Sequence, residues 1–359
     1  MLPAVQNIPI GSIDGAPTLR SRGHARPFSL KGKAMALKRA LLTILFFVVF
    51  STLAVAQENL SFPVGASSKV LGFAPLWVAS GKEFLKRQGL DAEVTAIRGT
   101  APTMQALVSN SIYVALAAND GVIGLAEKGM DVAMIAAGSK TTHMIMAAKK
   151  FKTYEDLRGA TIGSSTLTSG TAFLLKRVLK TRGLEYPRDY TLVNVGGSGP
   201  AFTALSAGRI DAAILAVPIN FRAQELGFNL IGKVTDVFPN YLLSSFSVRR
   251  QWAAEHRQEV VRFLKAVLEA RKWLEDNKKA GAEFLAKELE MKPKLAERGL
   301  DYYLTHGAWE PNLNIDLDGL KTVVEIYAEQ TEMKGSIPSP EKYVDLSYLQ
   351  QALKELGWK

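Results

Sequence analysis

The sequence predicts an α/β fold built from two α/β units and a helical tail. Three observations carry the prediction. Short apolar runs alternate with amphipathic helical stretches from residue 60 onward, the alternation restarts near residue 150, and beyond residue 248 the pattern is helical to the end. Strand–helix alternation argues for parallel sheets with helices on both faces. The chain has 359 residues, enough for two domains, and 47% of them are apolar, enough for a real core.

The N-terminus reads as a targeting segment. From Met35 the chain runs MALKRALLTILFFVVFSTLAVAQEN, with Lys38 and Arg39 ahead of an apolar stretch from Ala40 to Leu53 and a small-x-small site at Ala54-Val55-Ala56. This is the layout of a cleaved signal peptide (35–56), and the apolar stretch is short of the roughly 20 residues a membrane span needs. The mature chain is expected to begin at Gln57. Residues 1–34, without apolar periodicity, are expected to be an extension ahead of the true start.

The first unit (57–149) opens with a strand at 60–66 and a helix at 75–89, followed by a β-branched strand at 91–97. A helix opens at Thr100 with Pro102 in its first turn, where proline is tolerated. A strand at 112–118, a helix at 119–128 and strands at 131–138 and 143–149 complete it. The second unit (150–243) has a short helix capped by Thr153, a strand at 160–164 and a helix at 169–182, whose Leu174, Leu175, Val178 and Leu179 share one face. Strand 191–195, helix 200–208, strand 210–217 and a strand within 227–233 follow. In the tail (244–359), Val260, Phe263, Leu264, Val267, Leu268 and Leu274 repeat at helical spacing between 251 and 277, a core-facing stripe. Asp316 or Asp318 is placed to cap a helix near 319–331, and Asp345 the last one.

One phrase occurs twice. ALVSNSIYVALAAN (106–119) and ALSAGRIDAAILAV (204–217) align as the same helix–turn–strand joint, once in each unit.

Composition excludes several functions. The chain has no cysteine, which removes disulfides, thiolate catalysis, zinc–cysteine sites and a lipid-anchored cysteine. The net charge of +10 falls to +4 without residues 1–56, and no basic cluster interleaved with aromatics remains, so nucleic acid is not an expected partner. GFNLIGK (227–233) has phosphate-loop spacing, but Val234 stands where Ser or Thr must hold magnesium. Gly197-Ser198-Gly199 resembles a dinucleotide loop, but Phe202 occupies the position where close helix packing needs a small residue. Pro200 breaks a nucleophile elbow at Ser198. His24, His143, His256 and His306 are scattered, so no metal site and no cofactor are expected; His143 reads as a structural histidine at the start of a strand near the cleft.

What remains is a set of small polar loops at strand-to-helix turns. The fullest is SSTLTSGT (164–171), with Ser164, Ser165, Thr166, Thr168, Ser169 and Thr171 where a helix begins. Free N–H groups and the helix dipole draw anions to such a turn, although Thr168 or Ser169 could equally be a plain cap. Similar turns lie at 65–68, 119–121 and 196–198.

In order and spacing, five stretches resemble the periplasmic solute-binding proteins of ABC importers, in the nitrate/sulfonate/taurine (thiamine-pyrimidine-precursor-like) branch. They are GFAPLWVASGKEFLKRQGLDAEVTAIRG (72–99), DLRGATIGSSTLTSGTAFLL (156–175), VGGSGPAFTALSAGRIDAAILAVP (195–218), RQEVVRFLKAVLEARKWLEDNK (257–278) and YVDLSYLQQALKELGWK (343–359). The resemblance implies a type II periplasmic-binding-protein fold. Two α/β lobes would be joined by crossings near 149–151 and 243–246, with a ligand cleft between them and the helical C-terminal tail packed on lobe one. The family's cleft loops carry over onto Ser67, Ser68 and Trp77, onto Asn119 and Asp120, onto Ser165, Thr166, Ser169 and Thr171, and onto Gly197, Ser198 and Pro218. Core packing for Trp77, a helix-start role for Asp120 and simple helix initiation for Pro218 are the structural alternatives.

One departure stands in the first copy of the doubled phrase. Asn110-Ser111-Ile112-Tyr113 replaces the family's usual Gly-Asp/Glu-Val-Asp, while Asp211 keeps the acid in the second copy. Asparagine tolerates the left-handed turn, so the lost acid is expected to matter for packing or hinge contacts rather than chemistry.

The resemblance implies a secreted, periplasmic, monomeric protein, not lipid-anchored and not an enzyme. It would deliver a small anion (sulfonate, nitrate or taurine class) to an ABC permease and its ATPase through peripheral contact at the membrane. Lys69 and Arg222 are the candidate cleft cations. The alternatives are a ligand sensor signalling to a membrane receptor, or a binder of a neutral pyrimidine or thiamine precursor. Thiamine-pyrimidine synthases on the same fold carry a Cys-rich segment that this chain lacks.

Overall fold

The computed structural model describes residues 60–167 and 169–358. The expected signal peptide, the extension before it, the mature start at Gln57, and Thr168 lie outside them.

In the first lobe, β1 (Leu60–Ser61) and β2 (Val64–Ala66) flank Pro63, which interrupts the strand expected at 60–66. The helix expected at 75–89 is two pieces, α1 (Ala74–Gly81) and α2 (Phe84–Arg87), because Glu83 is left-handed with φ 59°. Then follow β3 (Leu90–Asp91), β4 (Val94–Ala96), α3 (Thr100–Val108), β5 (Val114–Ala118), α4 (Asn119–Glu127) and β6 (Val132–Lys140). The second lobe contains β7 (Met144–Ala147), β8 (Thr161–Ser164), α5 (Gly170–Lys180), β9 (Thr191–Asn194), α6 (Ser198–Ser206), β10 (Ala212–Leu215), α7 (Ile219–Glu225) and β11 (Asn229–Lys233). The chain returns through β12 (Leu242–Arg249) to α8 (Arg250–Glu255), α9 (Arg257–Asp276), α10 (Lys278–Glu288), α11 (Pro293–Thr305), α12 (Leu317–Gln330) and α13 (Ser347–Leu356).

Each lobe holds one five-stranded sheet, in the orders β4-β2-β5-β12-β6 and β11-β7-β10-β8-β9. Neither is wholly parallel, as alternation alone suggests. β12 runs antiparallel to β5 and β6, and β7 antiparallel to β10 and β11. Hydrophobic alternation identifies a strand but not its direction, which here is set by the chain crossing between lobes. Sheet membership also changes earlier than the expected 149–151: β6 pairs in the first sheet and β7 in the second, so the first crossing is 141–143. The second is 234–241, just ahead of the expected 243–246.

The tail packs as the core stripe predicts. Val260, Phe263, Leu264, Val267, Leu268 and Leu274 on α9 are fully buried, against α1, α2 and α13 among others. Each such side chain contributes about 1.5–3 kcal/mol of transfer free energy. The expected helix from 251 breaks at His256, whose backbone leaves the helical region. Asp316 caps α12 by accepting the Asp318 N–H at 3.1 Å, and Asp345 accepts the Ser347 N–H at 3.1 Å ahead of α13. Helix α12 packs on α4 of the first lobe and on α5 of the second, so the tail also touches both lobes.

The doubled phrase is one joint built twice. Asn110 (φ 64°) and Gly208 (φ 67°) turn the chain after α3 and α6. The next N–H, of Ser111 or Arg209, returns to Ala106 or Ala204, each at 3.0 Å. Where the two copies differ, Asp211 accepts the Thr161 N–H at 3.0 Å and pairs with Lys150, whereas Tyr113 stacks on Trp252 with centroids 4.4 Å apart. The lost acid is replaced by an aromatic contact, in line with a packing role.

Candidate ligand cleft between the lobes

The carboxyl ends of the parallel strands of both sheets open onto one cleft of about 840 Å³. This is where an open α/β sheet places its ligand. Ser67 and Ser68 follow β2, Gly99 and Thr100 follow β4, Ser165 follows β8, Gly197 to Gly199 follow β9 and Ala216 to Pro218 follow β10, and all line it. Seven of the twelve expected binding residues are therefore brought together: Ser67, Ser68, Ser165, Thr171, Gly197, Ser198 and Pro218.

The other five are placed differently. Trp77 is buried on α1 at 4% exposure, with Lys69 Nζ 5.8 Å from its ring centroid, and it does not line the cleft. Asn119 is buried and its Nδ2 donates to the Leu242 carbonyl at 2.9 Å, holding α4 to β12. Asp120 accepts the N–H groups of Gly121 and Gly170. Burial raises its carboxyl above the ordinary range more than those donors lower it. Ser169 caps α5 by accepting the Ala172 N–H at 3.2 Å, and donates to the Thr166 carbonyl at 3.1 Å. Thr166 faces solvent.

The polar loop at 164–171 thus has two occupants of its own. Ser169 caps the helix, and Asp120 brings a carboxylate from the other lobe to the α5 N-terminus. The anion attraction expected there is met by the protein itself. Pro218 immediately precedes α7, so it starts a helix as well as lining the cleft.

Several cleft residues carry no sequence motif. Ser139 and Ser244 share a hydroxyl contact at 3.1 Å between β6 and β12. Thr142, in the first crossing, meets the Tyr303 hydroxyl at 3.2 Å. The only sequence signal of Ser139 and Ser244 is polarity inside strands, and Thr142 lies in no strand. The turn between α10 and α11, Leu289 to Lys292, lines the cleft from the tail, with no signal at all. His143 lines it too, with Nδ1 3.0 Å from Thr141 Oγ1, and burial lowers its pKa to about 4, so it presents a neutral imidazole at neutral pH. Leu71, Phe73, Val217, Leu243, Met291 and Leu295 supply apolar walls.

Among the described residues there is no His, Asp and Glu cluster able to hold a metal, and no helix is long and apolar enough to cross a membrane. The arrangement offers hydroxyls, neutral imidazole and apolar surface between two jaws, which suits capture of a small molecule.

Comparison with known proteins fits this geometry. The family model described as NMT1-like matches residues 64–290. YtlA of Bacillus subtilis, named provisionally as a binding protein, is 20% identical over 302 residues, covering 81% of this chain and 90% of that one. The periplasmic aliphatic sulphonate binding protein SsuA of Escherichia coli has the same fold, with a TM-score of 0.65 at 16% identity over 79% of this chain and 92% of that one. The desulfurization enzyme DszB has it as well, with a TM-score of 0.63 at 16% identity over 82% of this chain and 99% of that one.

Proposed function

The chain belongs to the NMT1-like family, and we infer that it is an extracytoplasmic solute-binding protein that closes its two lobes on a small organic anion and delivers it to an ABC importer. The observation that carries this reading is the cleft itself. It is walled by both lobes, lined by hydroxyls and strand-to-helix turns, and backed by apolar side chains. Its volume exceeds what a bare oxyanion fills, so an anionic headgroup on an apolar body, such as an aliphatic sulfonate, suits it better than nitrate. Taurine is the zwitterionic member of the same class.

The name given to YtlA and the fold shared with SsuA support binding over catalysis. DszB is the counter-example on this fold. One structure of it is a cysteine-to-serine mutant with biphenyl-2-sulfinic acid, and the present chain has no cysteine. Secretion rests on the expected signal peptide at 35–56, release without a lipid anchor on the missing cysteine, and a monomeric state on the two-lobed design. Neutral His143 favours one second reading, an uncharged heterocycle of the pyrimidine-precursor kind.

The test is thermal unfolding of the mature protein against alkanesulfonates, alkanecarboxylates, nitrate, taurine and neutral heterocycles, because a ligand of the native state raises Tm. The expected result is a rise with sulfonates or carboxylates. Shifts with neutral heterocycles alone would replace the anion reading with the second one.

A further inference from the structure

We propose that Arg222 anchors the ligand's headgroup, and that the cleft accepts one negative charge and rejects two. The inference rests on the anion-binding reading above. Among the described residues three cations line the cleft: Lys69, Arg222 and Lys292. Lys69 is spoken for, since its Nζ lies 2.8 Å from Glu288 Oε1 and it also approaches the Trp77 ring. Lys292 shares the turn after α10 with Glu290, two residues before it, and both line the cleft with opposite sign.

Arg222 differs from both. The nearest acid along its helix, Glu225, is taken by Arg298 of α11 at 2.7 Å. Among the described residues no carboxylate pairs with the Arg222 guanidinium. It is instead held over the Phe202 ring, 4.8 Å from the centroid, and Phe202 is itself buried on α6. A guanidinium held over an aromatic face can keep its N–H fork free to receive a carboxylate or sulfonate through two parallel hydrogen bonds. His143 adds no charge, and the carboxylate of Asp120 is committed to Gly170. The cleft therefore carries one uncompensated positive charge. A second anionic group on the ligand would find no second cation free of a neighbouring acid, since Lys69 is paired with Glu288 and Lys292 stands beside Glu290.

The experiment is titration calorimetry of the mature protein with 1-butanesulfonate, 1,4-butanedisulfonate and the uncharged butanesulfonamide, on wild type, Arg222→Gln, Arg222→Lys and Lys292→Gln. Hydrogen bonds to charged groups are worth enough that Arg222→Gln is expected to weaken butanesulfonate about 10- to 100-fold. Arg222→Lys recovers only part of that, and Lys292→Gln changes it by less than about 3-fold, as for exposed charges. The disulfonate is expected to bind wild type at least about 10-fold more weakly than the monosulfonate. Wild-type binding of butanesulfonate that survives Arg222→Gln unchanged would overturn the proposal while leaving the binding function intact. Binding of the sulfonamide alone would overturn the anion reading and this proposal together.

Discussion

The carboxylate of Asp120, on first-lobe helix α4, accepts the backbone N–H of Gly170, the residue that opens second-lobe helix α5. The contact joins the lobes where α12 packs on both helices. It also fills, with a side chain of the protein itself, a helix N-terminus that would otherwise attract the ligand's charge.

Asp120→Asn and Asp120→Ala separate the two parts of this contact. Burial raises the Asp120 pKa, so its stabilising contribution is full below the unfolded value and is lost as pH rises through the folded one. Burial therefore makes the charged form costly in the folded protein. Asparagine keeps an acceptor for Gly170 without that cost, and is expected to match or exceed wild type in urea unfolding. Alanine orphans the N–H groups and is expected to lose about 1–3 kcal/mol. Equal losses in both variants would mean that the charge, rather than the hydrogen bond, holds the helix.

His143 gives an acid-side dependence of opposite sense. Its pKa falls from 6.5 to about 4 on folding through burial. The unfolded chain then binds more protons between those values, so stability is full above 6.5 and declines as pH falls toward 4. At 1.36 kcal/mol per pH unit the limit is about 3 kcal/mol, and the residual exposure of His143 to the cleft lowers it. Denaturant melts from pH 4.5 to 7.5 are expected to show this slope in wild type and a flatter profile in His143→Gln. Identical profiles would assign the acid sensitivity elsewhere.

Gly319→Ala tests how closely α12 is seated on the second crossing. A Cβ at Gly319 would fall on the Asn240 carbonyl, a backbone atom with no rotamer to yield. Overpacking of this kind costs about 1–3 kcal/mol. Gly197→Ala is the control, since a Cβ there meets nothing within 4 Å and its φ of −67° suits any residue. A lower Tm for Gly319→Ala, with Gly197→Ala near wild type, is the expected pair of results.

Much of the fold was legible because it is local. The stripe on α9, the cap at Asp316, and the paired turns at Asn110 and Gly208 each follow from residues within one or two helical turns, whereas Leu346, not the expected Asp345, is the N-cap of the last helix. Strand direction was not legible: β7 and β12 look like their neighbours in sequence and run the other way because each begins or ends a crossing. In the cleft, turns that follow parallel strands announced themselves through small polar residues. Asn119 and Asp120 carried the same signal but spend their side chains on Leu242 and Gly170, partners more than 40 positions away that no local pattern encodes. Thr142, Ser139 and the turn at 289–292 reach the cleft only through the tertiary arrangement.

The position of β12 sets an order of assembly. Among the described residues β6 has no neighbour in its sheet except β12, which arrives only after the whole second lobe has been made. The second sheet, by contrast, comes from one unbroken stretch, residues 144–233. A chain emerging from its N-terminus can therefore complete its later-made half first, while the earlier-made half stays in two pieces until residue 249 is free to insert. Such long-range pairing is slow, so the flank of β5 that receives β12 stays unjoined, and in need of shielding, until then.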